Sequence, residues 1–196
     1  MSHTQHIDSQ TQGDKKAPFW VRYYDIVTNL VTLGRTGKVH RGTLSLADLE
    51  PGDAVLDVGC GTGRLLLEAE KIVGLQGTAV GLDVEPEMIR QARNNAAKNG
   101  SRATFDVASI DHIPYADNSF NVALSTLMYH HLTEAQKRTG LVELERVIKP
   151  DGRLVLVDIN AGRRSILSSL PGHSDVERVD FVGNEVAEKM EAAGFT

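Results

Sequence analysis

Apolar positions along the chain change period several times. From Phe19 to Leu33 they recur at helical spacing and open on aromatics, Phe19, Trp20, Tyr23 and Tyr24, which predicts an amphipathic helix. A second helix is expected over Lys38 to Leu49. The turn Glu50-Pro-Gly-Asp53 then introduces Ala54 to Val58, a short apolar run that reads as a buried strand. Arg64 to Val73 returns to helical spacing, with Leu65, Leu66, Leu67, Ala69, Ile72 and Val73 as its apolar set.

The alternation continues. Strands are expected at Thr78 to Leu82, Ala103 to Val107, Phe120 to Ser125 and Arg153 to Asp158. Helices are expected at Pro86 to Asn99 and Ala135 to Ile148, the latter stopped by Pro150-Asp-Gly152. Ala187 to Ala193 reads as a last helix with Gly194 as its cap. Strands separated by helices predict an α/β fold: a three-layer, Rossmann-like, mostly parallel sheet with helices on both faces. In such sheets ligands bind outside the carboxyl ends of the strands. Those ends carry Asp57-Val58, Asp83, Ser109, Ser125 to Leu127, and Asp158.

Composition narrows the classes. The 196 residues, 41% of them hydrophobic, suit one domain with a real core. The polar stretch Met1 to Lys16 predicts a mobile leader, so the division expected is a leader over 1–18 and a domain over 19–196. A net charge of −5 argues against a general nucleic-acid binder. Cys60 is the single cysteine, which excludes an intrachain disulfide. No apolar run is long enough for a transmembrane segment and no secretory signal is visible, so a cytoplasmic protein is expected.

The strand-to-helix turn Gly59-Cys-Gly-Thr-Gly63 carries the chemistry. It lacks the Gly-Lys-Ser/Thr of a P-loop and the spacing of a dinucleotide fingerprint. Glycines at every second position let a ligand approach the backbone. Asp57, just before them, would repel a pyrophosphate and attract an ammonium group. Asp83 ends the next strand, about twenty residues on, where an acid can accept both hydroxyls of a ribose. Ribose plus an amino group describes an aminoacyl nucleoside. S-adenosylmethionine fits both halves, and NAD does not.

The motifs Leu56-Asp-Val-Gly-Cys-Gly-Thr-Gly63, Gly81-Leu-Asp-Val84, Ile113-Pro-Tyr-Ala-Asp-Asn-Ser-Phe120, Tyr129-His-His-Leu132 and Glu145-Arg-Val-Ile-Lys-Pro-Asp-Gly152 follow one another along the chain. With them the sequence resembles the class I S-adenosylmethionine-dependent methyltransferases, in the broad group that includes quinone and small-molecule methyltransferases. The resemblance implies methyl transfer to an oxygen, nitrogen or carbon of a small-molecule substrate. It implies that Gly59, Gly61 and Gly63 pass beneath the methionine part of the cofactor, with Asp57 near that part. Asp83 would bind the ribose hydroxyls and Val84 would lie against adenine. Ser109 and Ile110, beyond the third strand, would flank the base.

Three departures from the family pattern stand out. Ser109 takes the place of an acid that meets the adenine amino group, with Asp111 as a possible substitute. Asn121 replaces an Asp, a change that reads as structural. The chain also ends where the sixth strand would begin, at Phe195-Thr196, so the last two strands of the fold are expected to be missing. In the usual strand order 3-2-1-4-5-7-6 the fifth strand becomes an edge, with Leu154 to Val157 as an exposed apolar row. Such an edge invites a homodimer or another partner; the equal alternative is a domain truncated at the sixth strand. A non-catalytic cofactor-binding or partner subunit is the alternative to an enzyme.

Candidate catalytic groups follow the fourth strand. His130 and His131 lie near the expected methyl position and are suited to proton removal; the competing reading is that they cap or pack there. Tyr129 reads as a wall or packing residue and Cys60 as a small filler. His3 and His6 fall in the leader, and His40 and His112 stand alone. No metal-ligand spacing occurs, so no metal is expected. Tyr23 or Tyr24 could reach the ligand, and Arg163-Arg164 could face an anionic substrate or solvent.

Overall fold

The computed structural model describes residues 36–158 and 189–195. The expected leader, the aromatic helix with Tyr23 and Tyr24, Arg163-Arg164, the first residues of the last helix, and Thr196 lie outside the described residues, and the expected domain bounds with them.

The described chain runs α1 (Thr36–Ala47), β1 (Ala54–Val58), α2 (Arg64–Val73), β2 (Thr78–Asp83), α3 (Pro86–Lys98), β3 (Thr104–Val107), β4 (Phe120–Thr126), a 3-10 turn (Tyr129–His131), α4 (Glu134–Val147) and β5 (Ile148–Val157). Local chemistry explains the boundaries. Pro86 sits in the first turn of α3, where its missing N–H costs nothing. Thr133 and Gln136 form a reciprocal capping box, so α4 starts at Glu134, one residue before the apolar pattern suggests.

The five strands pair in the order β3-β2-β1-β4-β5, and every pair is parallel. The β5 expectation needs correction. The strand begins at Ile148, which pairs with Phe120, and ends at Val157. The register then shifts before Val122 meets Arg153. Pro150-Asp-Gly152 lies in that shift, so these residues bulge the strand instead of preceding it. Gly152 is needed there, because a Cβ would lie 2.7 Å from the Asn121 carbonyl. Asn121 is a structural brace, its Oδ1 accepting from the Ala54 N–H and from Lys149 Nζ, both at 2.9 Å.

Side chains alternate between the sheet's two faces. Val55, Phe105, Val122, Leu124, Val155 and Val157 point to one, where the apolar stripes of α1, α2 and α3 cover them. Leu56, Val80, Leu82, Ala123 and Leu156 point to the other, against Leu141, Leu144 and Val147 of α4. Met190, Ala193 and Phe195 pack on that second face. Lys189 is tied to Glu134 at 2.6 Å.

The same alternation corrects the exposed apolar row. β5 is the edge strand among the described residues. Yet Val155, Leu156 and Val157 are buried and Leu154 is partly buried, shared between the two cores. An edge strand offers its backbone sideways, while its side chains still go up and down into the layers. Among the described residues no helix is long and apolar enough to cross a membrane.

Candidate active site

The parallel sheet brings the ends of β1, β2 and β4 to one rim. Val58 is level with Leu82, and Asp57 with both Gly81 and Leu124. Beyond β1 the chain folds back, and the Leu82 carbonyl accepts from the Gly59 and Cys60 N–H groups at 2.8 and 2.9 Å. Gly59, Gly61 and Gly63 have φ of 77°, 54° and 78°, a region that residues with a Cβ enter only at a cost. Space enforces the choice too. A Cβ on Gly59 would lie 2.3 Å from Met128 Cγ, and one on Gly63 2.7 Å from the Phe105 ring. Gly63 is the N-cap of α2, with no side-chain cap bond, so the loop leads into a helix start that favours an anion.

Asp83 holds this loop in place. Its Oδ2 accepts from the Gly61 N–H and its Oδ1 from the Glu85 N–H, each at 2.9 Å. Each carboxylate oxygen retains a second acceptor site. Asp57 is 2% exposed. Burial first, and the neighbouring Asp83 charge second, push its carboxyl up to about 7. The buried Cys60 thiol is pushed far up by burial and by the same two acids, so it stays protonated and unreactive.

A cavity of about 460 Å³ opens over these strand ends. Asp57, Gly59, Gly61 and Asp83 line its base, and the 58%-exposed Val84 its side. Ser109 and Ile110 stand beyond β3, where the Ser109 carbonyl accepts from the His112 N–H at 3.1 Å to close a tight turn. Asp111 is within that turn and is not among the residues that line the cavity. Thr126, Leu127 and Met128 follow β4 on the wall. Leu127 has φ 56°, a strained state for a branched side chain.

The two histidines separate. His131 lines the cavity. His130 does not; its Nδ1 lies 2.5 Å from Asp158 Oδ1. Gly63 is likewise behind the wall, against Phe105 and Ala92. Tyr129 is 3% exposed, with Lys137 Nζ 5.5 Å from its ring centre. The sequence reading set His40 aside as a lone histidine and did not consider Thr36; α1 brings both to the cavity. They are four residues apart on one helix face, and Thr43 continues it, 3.5 Å from the Thr126 hydroxyl. A polar stripe where a core-facing helix should be apolar was the available signal. Among the described residues no cluster of His, Cys, Asp and Glu could hold a metal.

A methyltransferase domain model matches residues 49–193. The chain belongs to the class I S-adenosylmethionine-dependent methyltransferases. It is 32% identical over 138 residues to a demethylmenaquinone methyltransferase of Desulfitobacterium hafniense, covering 69% of this chain and 54% of that protein. It is 37% identical over 116 residues to an arsenite methyltransferase of Halobacterium salinarum, covering 59% of this chain and 29% of the relative. The chain thus spans about half the length of the first relative and under a third of the second. The crystal structure of a SAM-dependent methyltransferase from Aquifex aeolicus superposes with a TM-score of 0.69 at 27% identity, covering 92% of this chain and 89% of that one.

The methyltransferase cofactor, S-adenosylmethionine, suits the donor set. A buried acid with a raised pKa, Asp57, is completed by a cation. A carboxylate with two spare acceptor sites, Asp83, suits a vicinal diol. Side-chain-free backbone at Gly59 and Gly61 leaves room for a close ligand.

Proposed function

We propose that this chain transfers a methyl group from S-adenosylmethionine to a small-molecule acceptor. The observation carrying the proposal is the convergence of Asp57, the glycine turn and Asp83 on one cavity that His131 also lines. When bound, the cofactor supplies an electrophilic methyl group on a positively charged sulfur. Asp57 and the glycine turn hold the amino-acid end, Asp83 the ribose, and Val84, Ser109 and Ile110 the base. His131 is the catalytic base and takes a proton from the acceptor; His130 acts from behind it. Holding the reactants in line supplies much of the rate, and proton removal the remainder.

The two relatives are named for a quinone precursor and for arsenite, which supports a small acceptor over a macromolecule. The acidic net charge agrees. A cytoplasmic setting goes with this reading and is checked by fractionation. Among the described residues β5 is the edge strand, which supports a second copy or another chain pairing there, as sedimentation across concentration would reveal.

The test is calorimetry with S-adenosylmethionine and S-adenosylhomocysteine, with NAD as control, followed by turnover of methyl-labelled cofactor against small-molecule fractions. Binding of both sulfur ligands with label transfer is expected. Binding without transfer to any fraction would leave a cofactor-binding subunit instead, and no binding would overturn the proposal.

A further inference from the structure

Asp158 is far from the cofactor-binding turn in sequence and follows the last residue of β5. Its side chain is only 10% exposed, and it makes two bonds to one residue. Oδ2 accepts the backbone N–H of His130 at 2.7 Å, and Oδ1 meets His130 Nδ1 at 2.5 Å. A carboxylate only accepts, so His130 Nδ1 carries the hydrogen. The His130 ring in turn lies against that of His131, centroids 3.9 Å apart and planes inclined by 42°. The His131 N–H closes the turn by donating to the Met128 carbonyl at 2.9 Å. A fixed ladder thus runs from the end of β5, through His130, to the one histidine of the pair that lines the cavity.

Packing alone does not call for this arrangement. A 3-10 turn is held by its own backbone bonds, and a nearly buried carboxylate costs more than an apolar residue unless fully paired. A carboxylate fixing the tautomer and angle of an imidazole is a device for controlling where a proton goes.

Resting on the methyl-transfer reading, we propose that Asp158 and His130 are positioning residues that set the His131 ring, and that the acceptor is one that surrenders a proton on methylation. A tertiary amine or a thioether gives up no proton on methylation and needs no such ladder. In the step inferred, the acceptor passes its proton to His131 as its reacting atom forms a bond to the methyl carbon. The pair from the breaking carbon–sulfur bond stays on sulfur, which becomes a neutral thioether, and His131 releases the proton to solvent.

Two substitutions separate positioning from simple support. Asp158→Asn keeps an acceptor for the His130 N–H but turns an amide N–H toward Nδ1, which reverses the His130 tautomer. Asp158→Ala removes both bonds. Full-length protein labelled with 15N-histidine, saturated with S-adenosylhomocysteine, reports the tautomers and the His131 ring environment without any acceptor. The wild type should show His130 protonated at Nδ1, Asp158→Asn should show it at Nε2, and both variants should shift the His131 ring signals while S-adenosylhomocysteine affinity changes less than about twofold. Labelled methyl transfer is then measured against a catechol, a hydroxybenzoate and dimethylglycine. Transfer to the catechol or the hydroxybenzoate, each of which surrenders a proton on methylation, is expected, with kcat lowered about 100-fold or more in both variants and KM little changed. His130 protonated at Nε2 in the wild type, unmoved His131 signals, or transfer to dimethylglycine alone would overturn the proposal. With no transfer to any of these three the acceptor assignment falls, the small-molecule fractions above still decide the enzyme reading, and the spectra still decide the ladder.

Discussion

Replacing Asp57 with Asn should make the empty protein more stable at pH 8 and the cofactor bind more weakly. Asp57 is buried, and burial together with Asp83 raises its pKa from 3.8 to about 7. Between those values the folded protein keeps a proton that the unfolded chain has lost. Its contribution to stability is therefore complete below about pH 4 and falls away as pH rises toward 7. About three pH units at about 1.4 kcal/mol each bound the loss at roughly 4 kcal/mol. Asn has no charge to bury, so the variant should lose this slope and unfold at higher urea above pH 7. On the proposed placement, the ammonium group of the cofactor needs the ionised form. From pH 8 to pH 6 the ionised fraction drops from about nine-tenths to about one-tenth, so the wild-type affinity should fall roughly tenfold. The variant should bind weakly and evenly over that range. Urea unfolding of both proteins from pH 5 to 8, with calorimetric titration of S-adenosylhomocysteine at each pH, measures both effects. Parallel stability profiles for the two proteins, or a wild-type dissociation constant flat between pH 6 and 8, would refute the reasoning.

Gly63→Ala should cost about 2–3 kcal/mol by urea unfolding, because φ is 78° and the Phe105 ring lies 2.7 Å from the new Cβ. Gly42→Ala, in the interior of α1 with nothing within 4 Å, should gain about 0.5–1 kcal/mol in the same assay. Asp83→Ala should weaken S-adenosylhomocysteine binding at least tenfold by calorimetry, since it removes ribose acceptors and also frees the Gly61 and Glu85 N–H groups. Arg146→Ala should lower the unfolding midpoint by an amount worth about 2–3 kcal/mol, because this side chain bonds the Ile113 and Tyr115 carbonyls and pairs with Asp117 and Glu143.

The sheet and its helices were legible because burial writes period into sequence. The Ala54–Val58 and Arg64–Val73 boundaries emerge unchanged from apolar spacing alone. The glycine turn was legible because its positive φ values admit few other residues. Pro150-Asp-Gly152 was misread because breakers mark a departure from regular structure without saying whether a loop or a bulge follows. The hydrogen bond from the Gly61 N–H to Asp83, the seating of His130 on Asp158 and the arrival of His40 at the cavity are long-range facts. Each joins segments that carry no mutual signal in a single sequence. His40 shows the limit clearly, because an isolated histidine acquires a role only when tertiary packing supplies its neighbours.

Arg153, on β5, donates to the Ala47 and Asp48 carbonyls at the end of α1 and lies 3.8 Å from Asp53. The other end of that helix carries Thr36 and His40 to the cavity. Between those ends the helix is seated along its length, with Val39, Leu44 and Ala47 on the core and Thr43 buried beside Thr126. It therefore shifts as one piece. Arg153 thus helps to set where His40 stands, although it is not among the residues that line the cavity, and the sheet edge and the site share one datum.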